Sequence, residues 1–92
     1  MIVVELRFSS DAAERLAARP AHRDLLAQWH AEGFVVAAGP WPDESGALLL
    51  FDADEATVRQ RMTEDPYYRT PGVTVHQVRE WHPVVGGPAS VN

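Results

Sequence analysis

The feature of this sequence that most constrains its fold is the order of its short apolar segments. Along residues 2–8 (IVVELRF), every second side chain is apolar, which is typical of a strand buried on one face. Residues 34–40 (FVVAAGP) and 47–51 (ALLLF) are apolar on both faces, and residues 73–82 (VTVHQVREWH) predict a long last strand. The sequence therefore predicts four strands.

Two helical patterns lie between these strands. The first covers residues 11–32, and the second covers residues 55–65 behind Asp54, which fits an N-cap position. The order β-α-β-β-α-β predicts an α+β protein with the ferredoxin-like βαββαβ plan, a four-stranded antiparallel sheet with both helices on one face. The other face would expose a large apolar patch, so we expect a homodimer that forms through the sheet faces.

Pro20 interrupts the first helical pattern. Proline inside a helix removes a hydrogen bond and clashes with the preceding turn, but it is harmless at the first helical position. We therefore expect a short helix at Asp11–Ala18 and a new or sharply kinked helix from Pro20 to Glu32. The second helix has an apolar face at the spacing i, i+3, i+4, i+7, formed by His22, Leu25, Leu26 and Trp29.

Size and composition exclude several classes of function. The chain has 92 residues, no cysteine and a net charge of −5, and all eight of its basic residues are arginine. This predicts one small domain at 1–83 with a C-terminal tail at 84–92, and it excludes thiolate and Schiff-base lysine chemistry. No basic face predicts nucleic-acid binding, and no apolar run reaches membrane-spanning length. We expect a cytoplasmic protein that contacts neither nucleic acid nor membrane.

His22 is the first candidate for chemistry. In the first turn of a helix beginning at Pro20, the helix dipole would disfavour the imidazolium, and a neutral imidazole suits a general base. The alternative is a packing role beside Trp29. Asp65 is the second candidate, because a carboxylate bonded to an imidazole holds its tautomer and stabilises the cation formed by proton abstraction. A charged end of the second helix before Pro66 is the alternative for Asp65.

Other residues are candidates for holding a substrate. Arg19 and Arg69 could bind an enolate or a carboxylate through their planar guanidinium groups. Gly39 and Pro40 close the second strand, where a glycine lets a ligand approach the backbone. The aromatic residues that could line a pocket from loops are Trp41, Tyr67 and Tyr68.

No cofactor or metal is expected from the sequence. It contains no phosphate-binding loop, dinucleotide fingerprint or nucleophile elbow. His76 and His82 share one face of the last strand, but their spacing matches no known metal-ligand pattern. His30 lies toward the outer side of its helix, where we expect it to be solvated.

Three motifs resemble the YCII-related (YciI-like) proteins. RPAH followed by LL is similar to the family's R-P-x-H-L, EGF with AAGP to E-G-x-L-x-x-A-G-P, and EDPYY with GVTVHQVREW to A-D-P-Y-x-x-A-G-V. The resemblance runs from Met1 to about Trp81. It implies a dimeric α+β barrel related to muconolactone isomerase and a His–Asp centre at His22 and Asp65. The chain departs from the family pattern in YRTPG, where Pro71 stiffens the loop and Arg69 adds a cation.

Residues and resemblance together predict a small cofactor-independent enzyme. His22 would move a proton on a small, oxygenated cyclic or aromatic metabolite, in an isomerisation or an elimination, with Asp65 orienting the ring. One branch of the family eliminates chloride from a chlorinated hydroxyquinol. The alternatives are a non-catalytic binding or accessory dimer and a cofactor-free monooxygenase, which needs a pocket aromatic such as Trp29 or Trp41. The direct pair requires His22 and Asp65 to approach within hydrogen-bond reach.

Overall fold

The computed structural model describes residues 1–87 of the chain. Its elements, in chain order, are β1 (Ile2–Phe8), α1 (Ala13–Ala31), β2 (Val35–Pro40), β3 (Gly46–Phe51), α2 (Glu55–Met62), a 3₁₀ helix (Pro66–Arg69) and β4 (Val73–Glu80). All strand pairs are antiparallel, and the strand order is β2-β3-β1-β4. The predicted α+β ferredoxin-like fold is therefore confirmed.

The core lies between the sheet and the helices. Ile2, Val4 and Leu6 of β1 are at most 2% exposed, and Leu49 and Phe51 of β3 are at most 1% exposed. These residues are two apart along their strands, so they share the sheet face that the helices cover. The alternation predicted for β1 thus sets the inner face of the sheet.

An aromatic cluster anchors α1 to the sheet. Trp29 is 1% exposed, and its ring lies edge-on to Phe34 at 5.4 Å and to Phe51 at 6.4 Å between centroids. Edge-to-face aromatic pairs contribute about 1 kcal/mol each beyond the area they bury. The Phe34 amide also donates to the Trp29 carbonyl at 3.0 Å, which ties the end of α1 to the start of β2.

The prediction of separate helices on either side of Pro20 was wrong, whereas the alternative of a kinked helix stays a prediction. Helix α1 is continuous from Ala13 to Ala31 and contains Pro20 within it. Pro20 and Leu16, whose carbonyl would have accepted from residue 20, are both exposed, so water can satisfy that carbonyl. His22 consequently lies near the middle of one helix and not in a first turn.

The second helix is shorter than predicted. Helix α2 ends at Met62 rather than at Asp65, and a 3₁₀ helix follows where the sequence predicted a loop. Its start agrees with the prediction, because the Asp54 carboxylate accepts from the Thr57 amide at 2.8 Å.

The outer face of the sheet carries both apolar and polar side chains. Val3, Leu48 and Leu50 are partly exposed there, beside two polar pairs across β1 and β4. In these pairs Gln77 donates to Glu5 at 2.8 Å, and Arg7 lies 2.9 Å from His76.

The C-terminal segment extends beyond the sheet. Val84 and Val85 are 96% and 88% exposed, and residues 88–92 of the predicted tail lie outside the described residues. Within residues 1–87, no helix combines the length and apolar character needed to cross a membrane.

The approach of β1 to β3 predicts a strict requirement for glycine at position 46. A Cβ at Gly46 would lie 2.1 Å from the Leu6 carbonyl oxygen, whereas a Cβ at Gly39 would meet nothing within 4 Å. We expect Gly46→Ala to lower the free energy of unfolding by about 2 kcal/mol or more, because the backbone must move. Gly39→Ala should change it by less than about 1 kcal/mol. Urea denaturation measures both, and equal effects would contradict the prediction.

Candidate functional site

His22 and Asp65 form a buried hydrogen bond. His22 Nδ1 lies 2.5 Å from Asp65 Oδ2, and the two residues are 6% and 3% exposed. They are 43 positions apart in the chain, and they meet within one chain. The contact that the sequence analysis required between them is therefore present, while their catalytic roles stay predictions.

Asp65 is the N-cap of the 3₁₀ helix and not the end of α2. Its Oδ1 accepts from the Tyr67 amide at 3.0 Å, which leaves Oδ2 free for His22. An anion at a helix C-terminus is unfavourable, but α2 ends at Met62, so Asp65 does not occupy that position. Instead Asp65 occupies a position that favours aspartate, and Pro66 begins the helix where its missing N–H is not needed.

The environment of Asp65 keeps its carboxyl group ionised. Burial alone raises the pKa of Asp65, but the hydrogen bonds from His22 and from the Tyr67 amide, with the charges of His22 and Arg69, outweigh it and lower the pKa below its usual value. An ionised carboxylate only accepts hydrogen bonds. The proton in the contact therefore belongs to His22 Nδ1, and in the neutral ring Nε2 carries the free lone pair.

The helix-dipole argument that the sequence suggested for a neutral His22 does not apply. The helix dipole acts within the first and last turns, and His22 lies near the middle of α1. Asp65, rather than the helix terminus, determines which nitrogen of His22 carries the proton.

Two tyrosines hold the imidazole plane. The Tyr67 ring stacks on His22 at 3.8 Å between centroids and 6° between planes, and the Tyr68 ring lies edge-on at 5.4 Å. Tyr68 is buried and its hydroxyl has no hydrogen-bond partner among residues 1–87. Burial, with the nearby charge of Asp65, raises the pKa of Tyr68 far above its usual value, so its hydroxyl stays protonated.

His22 lies in the wall of a cavity of about 600 Å³ between α1 and the β2–β3 half of the sheet. This volume is in the range of small-molecule sites. Within the described residues, the fully buried side-chain nitrogen and oxygen atoms that lack a hydrogen-bond partner are Arg15 Nε and Tyr68 Oη. His22 Nε2 also has no partner but is not one of these atoms, so it is not fully buried. Nε2 therefore remains accessible, whereas Asp65 lies behind the ring and does not line the cavity.

The cavity brings together most of the substrate-binding residues suggested by the sequence. Arg19, Gly39, Pro40 and Tyr67 all line it. Arg69 does not line the cavity: its guanidinium donates to the Thr63 carbonyl at 3.2 Å, and its role in binding a substrate stays a prediction. Its charge acts on Asp65 instead.

Three of the cavity-wall residues that sequence reasoning missed lie together. Arg15 and Glu44 line the cavity and face each other, and Phe8 lies beneath Arg15. A signal for Arg15 existed, because Arg15, Arg19 and His22 have the spacing i, i+4, i+7 that places side chains on one helix face. Treating Pro20 as a break placed Arg15 on a separate helix and concealed that spacing.

The other aromatic and histidine candidates lie elsewhere, except for His30. Trp29 belongs to the core and Trp41 is 41% exposed, and neither lines the cavity. His30 is exposed but is part of the cavity wall. His76 lies beside Arg7, and His82 lies 3.1 Å from Glu80 on the surface. Residues 1–87 contain no group of three or more histidine or acidic side chains arranged to hold a metal ion.

The lowered pKa of Asp65 predicts a defined pH dependence of stability. The folded-state pKa lies below the unfolded value of about 3.9, so the contact stabilises the fold above about pH 4 and loses this effect as pH falls through the folded-state pKa. We expect Asp65→Asn to lower the free energy of unfolding by about 2 kcal/mol at neutral pH. The difference from the unsubstituted protein should shrink below about pH 4.

Chemical denaturation between pH 3 and pH 8 measures this difference. Asp24→Asn makes the same charge change at an exposed position and controls for net charge. A destabilisation by Asp65→Asn that is constant across the whole range would contradict the assignment.

Comparison with protein families agrees with the motifs and the fold. A family model for the YCII-related domain matches residues 1–82, from the first strand to just beyond the last. A comparison with curated proteins finds no significant match. The matched range includes both members of the buried pair and the whole cavity wall. The chain belongs to the YCII-related domain family.

Proposed function

We propose that this protein is an enzyme that transfers a proton on a small ring compound, with His22 as the base. One observation carries the proposal: His22 lines a cavity of about 600 Å³, its Nδ1 is bound to a buried, ionised carboxylate, and its Nε2 has no hydrogen-bond partner among the described residues. A base needs a free lone pair, a fixed orientation and access to substrate. His22 meets these three requirements.

The reaction needs no redox partner. His22 Nε2 takes a proton from a carbon next to a carbonyl group. The electron pair of that C–H bond forms a C=C bond to the carbonyl carbon, and the π pair of the C=O bond moves onto the oxygen to give an enolate. The resulting imidazolium is stabilised by the Asp65 carboxylate. Return of the proton to another carbon gives an isomerisation, and loss of a leaving group from the adjacent carbon gives an elimination.

The cavity wall favours a flat ring as the substrate. Phe8 and Tyr67 line it with their rings edge-on at 6.3 Å between centroids, and Leu26 and Leu49 add apolar surface. Aromatic and aliphatic side chains of this kind pack well against a cyclic or aromatic compound. Arg19 supplies a positive charge beside His22 for the oxygen on which negative charge develops.

The two alternatives differ in what the structure offers them. The monooxygenase alternative depended on Trp29 or Trp41 in the pocket, and neither lines the cavity. The binding or accessory alternative uses the same cavity without proton transfer, so an exchange experiment distinguishes it from the enzyme.

The proposal predicts His22-dependent hydrogen exchange. In deuterium oxide, with cyclohexanone and a butenolide as probes, we expect the protein to speed incorporation of deuterium next to the carbonyl group. His22→Gln should slow it by about 100-fold or more, the usual contribution of a general base. Proton NMR follows the loss of the C–H signal. Asp65→Asn should also slow exchange, because the ring loses the anion that fixes its tautomer.

His82→Gln is the matched control, since it removes an exposed histidine outside the cavity. Its exchange rate should equal that of the unsubstituted protein. Binding of the probes without exchange above the rate of His22→Gln would contradict proton transfer and favour the binding role.

We also propose that two copies associate through their outer sheet faces. The partly exposed Val3, Leu48 and Leu50 supply apolar surface there, and the pairs Glu5–Gln77 and Arg7–His76 supply polar groups beside it. An apolar centre with polar neighbours is common in homodimer interfaces.

Association through this face predicts a mass of two chains in solution at micromolar concentration. Leu48→Glu should lower the mass in solution to that of one chain, because the dimer would bury a charge at the centre of its interface. Light scattering after size-exclusion chromatography measures the mass. Leu16→Glu, at a 43% exposed position on α1, is the control and should leave the mass unchanged. A single-chain mass for the unsubstituted protein would contradict the proposal.

A further inference from the structure

Arg15 is a buried cation whose guanidinium has no hydrogen-bond partner among residues 1–87. It is 5% exposed, and its Nε is among the few fully buried side-chain atoms without a partner. Its nearest anion is Glu44, whose Oε1 lies 3.7 Å from Nη1, too far for a hydrogen bond. Burying a charge without hydrogen bonds is unfavourable, so this arrangement needs an explanation.

Arg15 lines the same cavity as His22. Its guanidinium lies over the Phe8 ring, 4.3 Å from the centroid, which holds the group in place at the cavity wall. Arg19 lies one turn further along α1, and its Nη1 is 3.3 Å from the same oxygen of Glu44. Two guanidinium groups therefore converge on one point of the cavity wall, where a carboxylate already lies.

Glu44 is held loosely at that point. Its side chain is 52% exposed, and only Oε1 approaches the arginines, at distances longer than the 2.7–2.9 Å of strong charge-assisted pairs. Its backbone has a φ of 56°, a conformation that residues with side chains rarely adopt. Because Glu44 is half exposed and makes no short contact with either arginine, another anion can displace it.

A continuous series of rings connects this point to the base. Phe8 contacts Arg15 on one side and lies edge-on to Tyr67 at 6.3 Å on the other, and Tyr67 stacks on His22 at 3.8 Å. Along the helix axis, Arg19 and Arg15 lie about 4.5 Å and about 10 Å before His22. A ring compound bound in this cavity beside Phe8 and Tyr67 could place a carboxylate at the arginines and a ring carbon near His22.

We propose that Arg15 and Arg19 form a carboxylate-binding subsite for a cyclic or aromatic acid, and that Glu44 occupies this subsite until the ligand displaces it. The inference rests on the proposed function for the reaction that follows, but not for binding. It names the class of substrate, a ring compound that carries a carboxylate.

Benzoate and benzamide test the subsite, because they share a ring and differ in charge. We expect benzoate to bind at least about 10-fold more tightly than benzamide, as one strong charge-assisted contact gives. Titrations followed by ¹H–¹⁵N NMR at constant ionic strength measure both affinities. The Arg15 Nε–H signal, identified by its loss in Arg15→Met, should move with benzoate and not with benzamide.

Variants separate the ligand contact from general charge effects. Glu44→Gln should increase benzoate affinity by about 5-fold and leave benzamide unchanged, because it removes the competing anion. Arg19→Gln should lower the affinity for benzoate by about 10-fold or more. Glu55→Gln and Arg59→Gln make the same charge changes in an exposed ion pair on α2, outside the cavity, and should alter neither affinity.

Each of three results would overturn the proposed subsite: equal affinity for the two probes, no saturable binding of benzoate, or no increase in benzoate affinity in Glu44→Gln. If Arg15→Met does not fold, Arg19→Gln and Glu44→Gln decide the question, since both residues are partly exposed. Failure of the subsite is distinguishable from failure of the proposed function. If benzoate binds but exchange does not depend on His22, the subsite proposal stands and the proposed function fails. If exchange depends on His22 but benzoate is not preferred, the proposed function stands and the subsite proposal fails.

Discussion

The hydrogen bond between His22 and Asp65 is the contact on which the rest of the site depends. It joins the middle of α1 to the segment that follows α2, and both side chains are almost completely buried. Asp65 uses its second oxygen to begin the 3₁₀ helix that carries Tyr67. Because the Tyr67 ring then stacks on His22, one carboxylate orients both the imidazole and the aromatic ring beside it. Removing either partner would leave the other buried without compensation.

The antiparallel ferredoxin-like sheet and its inner face were predictable because they follow from patterns of residues that are close in the sequence. Alternation in β1 and the apolar segments of β2 and β3 correctly indicated an antiparallel ferredoxin-like sheet. The N-cap at Asp54 was predictable for the same reason, because its partner, the Thr57 amide, is only three residues away. Pro20 was different, because its effect depends on which side of the helix faces water. Proline interrupts the hydrogen bonds of a helix, but the exposed position of Pro20 and the packing of Trp29 further along the helix allow α1 to continue.

The candidate site was only partly predictable for a related reason. His22 and Asp65 were identified from residue type, position and motif, but the geometry that joins them depends on where α2 ends. The sequence placed Asp65 at the end of a helix, where an anion is unfavourable, while the structure places it at the start of the next one. Arg15 was missed since its importance appears only when α1 is continuous and Phe8 lies below it. Glu44 comes from a turn whose direction no periodicity indicates.

The side chains that line the cavity carry a net positive charge, whereas the whole chain carries a net negative charge. The protein carries a net charge of −5, which would repel an acid at long range. Charges farther than about 8 Å are largely screened at physiological ionic strength, so nearby groups dominate inside the cavity. The lining carries three arginines, Arg15, Arg19 and Arg23, against the single carboxylate of Glu44. Once a ligand carboxylate displaces Glu44, its charge meets the guanidinium groups in a partly buried wall, where electrostatic attraction is stronger than in water. An acidic protein can therefore bind an acidic ring compound, because the acidic side chains lie almost entirely outside the cavity that the arginines line.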